Sequence, residues 1–514
     1  MRLLLAALLG LWGSETTFGP QVRGPITLER NASTWTMRVG GFEVADTDLH
    51  LVLPGGQGEL RAFLDGTTLR GFWIQPRGNL GRFATPVTFT RVRADAWRGT
   101  VMPLDDRLSL YLNVVKSEDG TLRGSFHNPE VNWNGRAAWF RIEEKDESVH
   151  LVDPKSGKTR FVQPYDAREQ KIAMDFGAPV ALTPRTPGQA VGFQPRATTT
   201  YRYRAPLPDD DGWRVSRAKD EGVDEERLRA LVERILSIDP ADSASPRIHS
   251  LLVARHGKLV LEEYFFGFDE RRPHDLRSAS KVFTSMMFGI AMADAVHAPI
   301  DPKHPKITAA HLLSHTSGLA CDDDDQTSPG NEDVMQGQQE QTDWYRYFLD
   351  LPAVHEPGTK YAYCSGGINY AGALVAKKTG AWLPDFFDRA IAKPLQFGTY
   401  HINLQPDGQA YSGGGIYLRP RDFLKLGQTY LDGGVWNGRR IVPEAWVKAS
   451  TANSYAWHRH VIGGLQTYEA SGNGGQFAIV VPELDLVVAI TAGNYGQYNV
   501  WRTFREELVP KYIM

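Results

Sequence analysis

Hydrophobic and polar residues alternate in short stretches in the N-terminal part of the chain, and longer apolar runs follow in the C-terminal part. Turn residues separate the short stretches at intervals of roughly 8–12 residues. This pattern predicts an all-β barrel or sandwich domain over residues 28–200. Its predicted strands are Leu49–Leu53, Glu59–Leu64, Thr67–Ile74, Val87–Val92, Leu108–Val115, Thr121–His127 and Ala137–Ile142.

A polar, proline-containing segment over residues 201–221 predicts a linker, and a second domain is expected over residues 222–514. The spacing of apolar residues in the second domain predicts both helices and strands. The predicted elements include a helix over Val223–Leu236, a hairpin over residues 249–266, strands at Phe477–Pro482 and Leu486–Thr491, and a last helix near residues 501–509.

The first residues resemble a secretory signal, because Arg2 precedes an apolar stretch that is too short to span a membrane. We therefore predict a signal peptide over residues 1–14 and an exported protein, periplasmic or secreted. An uncleaved anchor or a misassigned start is the alternative. The 514 residues carry a net charge of -3, without the bias that indicates a nucleic-acid partner. We expect no stable membrane span in the mature chain, and the oligomeric state is left open.

The sequence Ser278-Ala279-Ser280-Lys281 begins an apolar run, Val282–Ala293, that predicts a buried helix. Ser278 and Lys281 lie one helical turn apart, which is the arrangement of a serine nucleophile with a lysine base. A lysine base at pH 7 needs a pKa lowered by roughly 3 units, and burial can supply about 3–5 units. We therefore expect burial to lower the pKa of Lys281. The alternative is that Ser278 merely caps the helix.

Four segments in this order resemble the serine β-lactamase superfamily, in its class C-like branch with family VIII esterases and D-amino-acid-specific peptidases. They are Ser278–Lys281, Ile307–Leu319, Tyr363-Cys364-Ser365 and Ala470–Gln476. The resemblance covers roughly residues 222–514. It implies an α+β fold in which an antiparallel sheet flanked by helices meets a helical subdomain, with the site between them. The preceding all-β domain lies outside the resemblance.

The same resemblance implies roles for individual residues. Ser278 becomes acylated, and Lys281 acts with Tyr363 as the general base and then as the acid. The backbone N–H groups of Ser278 and Asn473 form the oxyanion hole. The substrate-binding residues implied in this way are Ser365, Ala470, Ser471 and Gly472.

Three departures from the family pattern put the substrate in doubt. Ser365 stands where many relatives have Asn, and Ala470 stands where many have Lys or His. The region between Ala295 and Ile307 is shorter than usual, which alters one wall of the cleft.

We predict a serine hydrolase that cleaves small esters through a Ser278 acyl-enzyme, without a metal or an organic cofactor. A β-lactamase or D,D-peptidase acting on cell-wall-like amides is one alternative, and a catalytically silent binding protein is another. The partner is a small-molecule ester or amide, and no nucleic-acid partner is expected.

Several other polar residues receive no catalytic role. His315 is structural in the family, and His458 with His460 offers too few ligands for a metal. The acidic run Asp322–Asp325 is interpreted as a solvated loop rather than a cation site.

The two cysteines, Cys321 and Cys364, are predicted to form a disulfide. An exported chain meets an oxidising compartment, and the family places both segments near the site. Two unpaired, buried thiols are the alternative.

Overall fold

The computed structural model describes residues 8–78, 80–131, 139–175, 179–242 and 244–514. Its N-terminal part consists mainly of short antiparallel strands. These strands are β1 (Gly10–Phe18), β2 (Gly24–Asn31), β3 (Thr34–Val39), β4 (Phe42–Asp46), β5 (His50–Val52), β6 (Glu59–Asp65), β7 (Thr68–Ile74), β8 (Phe83–Thr88), β9 (Thr90–Arg93), β10 (Ala96–Val101), β11 (Asp106–Lys116), β12 (Leu122–His127), β13 (Trp139–Lys145), β14 (Ser148–Val152), β15 (Thr159–Asp166), β16 (Lys171–Asp175) and β17 (Pro179–Arg185).

A closed barrel forms from β1 and the strands β11 to β17. Strand β1 closes it by pairing antiparallel with both β11 and β17. Buried apolar side chains, Trp12 among them, fill the interior. Residues 10–14 therefore belong to the barrel, and a signal peptide ending at residue 14, which stays a prediction, would include half of β1. Residues 1–7 of that prediction lie outside the described residues.

The strands between β1 and β11 form two further sheets rather than part of the barrel. Strands β4, β3, β2, β10 and β9 make a five-stranded sheet, whose core includes Trp35 and Trp97. The predicted strand Val87–Val92 is wrong, since β8 ends at Thr88 and β9 begins at Thr90. The expectation of one barrel or sandwich over residues 28–200 is corrected as well. The strands there divide among the barrel, this five-stranded sheet and a third sheet that includes C-terminal strands. Residues 137 and 138 of the last predicted strand lie outside the described residues.

The C-terminal part mixes helices and strands. Its strands are β18 (Arg214–Val215), β19 (Ile248–Arg255), β20 (Lys258–Tyr264), β21 (His274–Asp275), β22 (Pro299–Asp301), β23 (His304–Thr308), β24 (His401–Asn403), β25 (Ile416–Leu418), β26 (Val435–Trp436), β27 (Arg439–Arg440), β28 (His458–Ile462), β29 (Leu465–Gly472), β30 (Gln476–Val481) and β31 (Leu486–Ala492). Its helices are α1 (Glu225–Leu236), α2 (Lys281–Met292), α3 (Ala309–Leu313), α4 (Glu332–Gly337), α5 (Trp344–Leu349), α6 (Ser365–Thr379), α7 (Leu383–Phe387), α8 (Pro420–Leu431), α9 (Glu444–Ala452), α10 (Tyr498–Thr503) and α11 (Val509–Tyr512).

A central sheet runs in the order β18-β20-β19-β31-β30-β29-β28. Neighbouring strands are antiparallel except for β18 and β20, which are parallel. One apolar core joins the sheet to α1 and α11, and another joins it to α2 and α8. The sheet therefore has helices on both faces, and helices α3 to α7 form the neighbouring helical subdomain. The predicted α+β fold class is confirmed.

Helix α2 is buried over most of its length, as its apolar sequence predicts. It packs between the central sheet and α6. Gly289 permits a very close contact, since a Cβ atom there would lie 2.2 Å from Cδ1 of Trp446. This packing fixes the start of α2, where Ser278 and Lys281 lie.

Strands from both parts of the chain share one sheet, in the order β21-β25-β24-β8-β7-β6-β5. Ile402 of β24 pairs with Ala84 of β8, and Oγ1 of Thr85 lies 2.6 Å from Nδ1 of His401. The predicted linker over residues 201–221 also lies against the C-terminal part, where Nε1 of Trp213 donates to the carbonyl of Arg421 at 3.1 Å. The N-terminal strands are therefore attached along a continuous sheet and not only through a linker.

Candidate active site

Ser278 and Lys281 lie together at the start of α2. Ser278 occupies the 3-10 turn Arg277–Ser280, and Lys281 is the first residue of α2. The Nζ atom of Lys281 donates to Oγ of Ser278 at 2.9 Å and to the carbonyl of Gly413 at 2.5 Å. Lys281 is 2% exposed. A buried amine is therefore held in hydrogen-bond contact with a half-buried hydroxyl.

Tyr363 completes this group from the loop before α6. Nζ of Lys281 lies 5.0 Å from the centroid of the Tyr363 ring. The ring of His315 packs on the Tyr363 ring with centroids 4.6 Å apart, and Nδ1 of His315 accepts from the N–H of Cys364 at 3.1 Å. Burial, with a smaller effect from the charge of Lys281, lowers the pKa of His315 to about 3. His315 is therefore neutral at pH 7 and holds the tyrosine loop in place.

The charge state of Lys281 differs from the one predicted. Burial favours the neutral amine, but the neighbouring Tyr363, Glu332 and Asp323 side chains outweigh it and raise the pKa of Lys281 above its ordinary value. The expectation that burial would lower this pKa is wrong, because it took no account of the acidic neighbours. Lys281 is therefore an ammonium group at pH 7.

Gly472, the last residue of β29, brings the chain against the start of α2. A Cβ atom on Gly472 would lie 2.2 Å from the carbonyl oxygen of Leu276 and 3.2 Å from the backbone nitrogen of Ser278. Only glycine fits in this space. Asn473 follows directly and is held by its Oδ1 atom, which accepts from the N–H of Gly496 at 2.9 Å. The backbone of Asn473 is thus close to that of Ser278.

A cavity of about 610 Å³ opens over these residues, and we call it the catalytic cavity. Ser278, Tyr363 and Asn473 line it, and Leu80 and Phe83 from the N-terminal part of the chain line it as well. Tyr361 and Tyr498 also line it and are 57% and 67% exposed. The arrangement places a hydroxyl, an ammonium group and a phenol beside a pocket of small-molecule size.

The Beta-lactamase family model matches residues 247–500. This range includes Ser278, Lys281, Tyr363 and Asn473. Residues 247–500 belong to the Beta-lactamase family. This segment, called the beta-lactamase domain below, is thus part of a hydrolase family, and the predicted membership is confirmed.

Known proteins similar to the chain come from bacteria and fungi. A 6-aminohexanoate-dimer hydrolase of Paenarthrobacter ureafaciens is 26% identical over 40% of this chain and 57% of its own length. A monacolin J acid methylbutanoyltransferase of Aspergillus terreus is 32% identical over 22% of this chain and 28% of its own. The chain thus spans less than two thirds of either relative. A solved penicillin binding protein from Bacillus halodurans is 16% identical, with a TM-score of 0.41 over 50% of this chain and 95% of its own.

Two of the predicted substrate-binding residues do not line the catalytic cavity of the beta-lactamase domain. Ser365 and Ala470 are both 0% exposed. Ser471 and Gly472 do line the cavity, because they follow Ala470 at the end of β29. Ser365, which stands in place of the usual asparagine, therefore lies beneath the residues that line the cavity and not at the cavity surface.

Carboxylates occupy the space next to Ser365. Oδ2 of Asp323 accepts from the N–H of Ser365 at 2.7 Å, and Oδ1 of Asp323 accepts from the N–H of Glu332 at 2.8 Å. The hydroxyl of Tyr411 donates to Oε1 of Glu332 at 2.5 Å. Burial, followed by the charge of Glu332, raises the pKa of Asp323 to about 6. The interpretation of residues 322–325 as a wholly solvated loop is wrong for Asp323, although Asp324 and Asp325 are exposed.

Glu332, Tyr411 and His458 also line the cavity, and none of them has a role predicted from the sequence. His458 begins β28 and pairs with Glu469, the residue before Ala470. Burial, with a contribution from the charge of Lys281, lowers the pKa of His458. A neutral imidazole thus lines the cavity one strand away from Ala470, where many relatives carry a lysine or histidine. Nε2 of His460, two residues further along β28, lies 3.2 Å from Oε1 of Glu469.

The predicted disulfide between Cys321 and Cys364 is present, with Cα atoms 5.3 Å apart. Sγ of Cys364 also accepts from the N–H of Gly367 in the first turn of α6 at 3.1 Å. The disulfide joins the loop that carries Asp323 to the loop that carries Tyr363. It therefore holds these two parts of the cavity wall together.

Proposed function

We propose that the chain is a serine hydrolase that cleaves small esters through an acyl-enzyme on Ser278. The observation that carries this proposal is the contact of 2.9 Å between Nζ of the buried Lys281 and Oγ of Ser278, which lines the catalytic cavity. A serine hydroxyl becomes a useful nucleophile only when a neighbouring group takes its proton. Lys281 and Tyr363 together supply that group.

In the first step, Oγ of Ser278 attacks the ester carbonyl and its proton passes to the Tyr363 and Lys281 pair. The tetrahedral intermediate carries its negative charge on oxygen, between the backbone N–H groups of Ser278 and Asn473. The carbon–oxygen bond to the leaving alcohol then breaks, and the pair returns the proton to that alcohol. Water repeats the sequence on the acyl-enzyme, which releases the acid and restores Ser278.

The charge of Lys281 assigns the proton acceptor within the pair. Lys281 is already protonated at pH 7 and cannot take a second proton. Tyr363 is then the acceptor, and its phenolate is stabilised by the adjacent ammonium group.

The charges that line the catalytic cavity favour neutral esters over anionic substrates. Acidic side chains of the cavity wall are Asp275, Asp323, Asp324, Glu332 and Asp333. The cation Arg277 in the same wall is engaged by Asp275 at 2.8 Å. A β-lactam or peptide carboxylate would enter against this charge, without the lysine or histidine that many relatives have at the position of Ala470.

Amide hydrolysis is the second candidate, because the relative from Paenarthrobacter ureafaciens is named for cleavage of a 6-aminohexanoate dimer. An amide has a poorer leaving group than an ester. Its hydrolysis therefore depends more strongly on Tyr363 as the acid that protonates the leaving group. A catalytically silent binding protein is the third candidate.

A panel of p-nitrophenyl esters, nitrocefin and a D-alanyl peptide tests the proposal. We expect ester turnover by the wild type and none by Ser278→Ala. Ser285→Ala is the matched control, since Ser285 lies in α2 and its Oγ has no hydrogen-bond partner among the described residues. Turnover of esters that survives in Ser278→Ala would refute the proposal, and turnover of the peptide alone would favour the amidase.

A further inference from the structure

A second cavity, of about 680 Å³, lies between the N-terminal strands and the beta-lactamase domain, and we call it the interdomain cavity. The loop after β10 lines one side with Met102, Pro103 and Leu104. The segment before α2 lines the other side with Phe268 and Pro273. The sequence resemblance does not extend to the N-terminal side of this cavity.

The interdomain cavity adjoins the catalytic cavity. Leu80, Asp275, Arg277 and Tyr417 line both of them. Arg277 directly precedes Ser278, so the shared wall lies one residue from the proposed nucleophile. The two cavities therefore meet at a common wall beside Ser278.

The interdomain cavity is lined by apolar side chains and by charged side chains of both signs. Leu80 and Met102 are apolar and remain 45% and 48% exposed. Several charged side chains of the wall are paired with one another: Arg272 with Glu130 at 3.5 Å, Arg107 with Asp105 at 3.5 Å, and Arg277 with Asp275 at 2.8 Å. These pairs leave no strong net charge that would demand an ionic ligand.

The two halves of the wall are held in a fixed relationship. Strands β8 and β24 pair across the junction, and the rings of Phe83 and Tyr417 pack edge to face with centroids 5.2 Å apart. The interdomain cavity is therefore formed before a ligand arrives, which lowers the entropic cost of binding a flexible chain.

We propose that the interdomain cavity holds the distal part of an unbranched acyl chain whose carbonyl is attacked by Ser278. The N-terminal strands then act as a chain-length selector, and medium-chain esters are better substrates than acetate. This inference rests on the proposed esterase function. Each methylene group moved from water to an apolar wall improves binding by about fourfold. Burial of part of an octanoyl chain is therefore enough to improve its binding about tenfold over that of acetyl.

The test measures kcat/KM of the full chain for p-nitrophenyl acetate, butyrate, hexanoate and octanoate. Met102→Trp fills the interdomain cavity, and Met102→Lys places a charge in it. Val92→Trp is the matched control, because Val92 is 51% exposed on β9 and is not among the described residues that line either cavity. Melting temperatures establish that each variant is folded.

We expect the wild-type ratio of octanoate to acetate to be at least about tenfold, and both Met102 variants to lower it at least about fivefold, while Val92→Trp keeps it. A ratio near one in the wild type, or equal ratios in the wild type and both Met102 variants, would overturn the inference and leave the esterase proposal intact. Absence of turnover with every ester, acetate included, would overturn both.

Discussion

Nζ of Lys281 lies 5.0 Å from the centre of the Tyr363 ring and 2.9 Å from Oγ of Ser278. One ammonium group thus contacts the proposed nucleophile and faces the proposed base. The Lys281→Ala variant removes the cation that stabilises a Tyr363 phenolate, and Tyr363→Phe removes the base itself.

Both substitutions should reduce kcat with little change in melting temperature. We expect Tyr363→Phe to lower kcat for an ester by about 10²–10⁴-fold, the usual contribution of a general acid–base group. Lys281→Ala should cost nearly as much as Ser278→Ala, because residues that act as a unit are lost together rather than additively. Steady-state kinetics with p-nitrophenyl acetate measures both, and wild-type kcat in Tyr363→Phe would remove this residue from the mechanism.

The acidic neighbours of Lys281 predict a pH effect with a definite sign. Glu332 raises the pKa of Lys281, so Glu332→Gln should lower that pKa. If Lys281 must stay charged, activity falls as the pH rises through its pKa, and the variant moves this basic limb to lower pH. We expect the basic limb of the kcat/KM profile to lie at lower pH in Glu332→Gln than in the wild type.

The same experiment distinguishes the two possible bases. If a neutral Lys281 were the base, its pKa would set the acidic limb, and Glu332→Gln would move that limb to lower pH instead. Glu356→Gln is the control for net charge, since the side chain of Glu356 is 70% exposed and is not among the described residues of the cavity wall. Glu332 also raises the pKa of Asp323, so the comparison is repeated in an Asp323→Asn background. A shift of the acidic limb alone that persists there would assign the base to Lys281.

The acidic cavity wall and the alanine at position 470 predict poor turnover of β-lactams. An anionic substrate loses a charge-assisted hydrogen bond worth about 1.5–3 kcal/mol, or roughly 10–150-fold in binding. We therefore expect kcat/KM for the best short-chain ester to exceed that for nitrocefin. The Ser278→Ala protein supplies the background rate for both substrates. Nitrocefin turnover equal to that of the best ester would contradict this expectation.

The disulfide between Cys321 and Cys364 should stabilise the fold and the site together. It closes a loop of 43 residues, which corresponds to about 4 kcal/mol in the chain-entropy description. We expect the Cys321→Ala, Cys364→Ala double variant to unfold at lower urea concentration and to lose ester turnover, because the Tyr363 loop is released. Alkylation of the denatured, unreduced wild type followed by mass spectrometry should add no label at these cysteines. Two added alkyl groups would mean that the bond does not form in the protein.

The α+β domain could be predicted from the sequence because its signals are local. The apolar run after Lys281 marks a buried helix, and the turn at His256-Gly257 marks the hairpin, whose two residues have φ of +50° and +65°. The order of four short motifs then identified the family. Each of these signals lies within a few residues of the element that it describes.

The missed features depend on contacts between distant parts of the chain. No local pattern shows that β1 closes a barrel against β17, or that β8 joins β24 across more than three hundred residues. Asp323 was visible as part of an acidic run, but its burial follows from the fold of the loop over Ser365. The raised pKa of Lys281 could not be predicted for the same reason.

The central claim is that Ser278 is the nucleophile, and active-site labelling tests it most directly. The wild type and the Ser278→Ala, Ser285→Ala and Lys281→Ala variants would be treated with a fluorophosphonate, and the modified peptide identified by mass spectrometry. The account predicts one label per chain on Ser278, full labelling of Ser285→Ala, slow labelling of Lys281→Ala and none of Ser278→Ala. A label on a different serine, or a wild-type Ser278 that stays unmodified while ester hydrolysis continues, would contradict it.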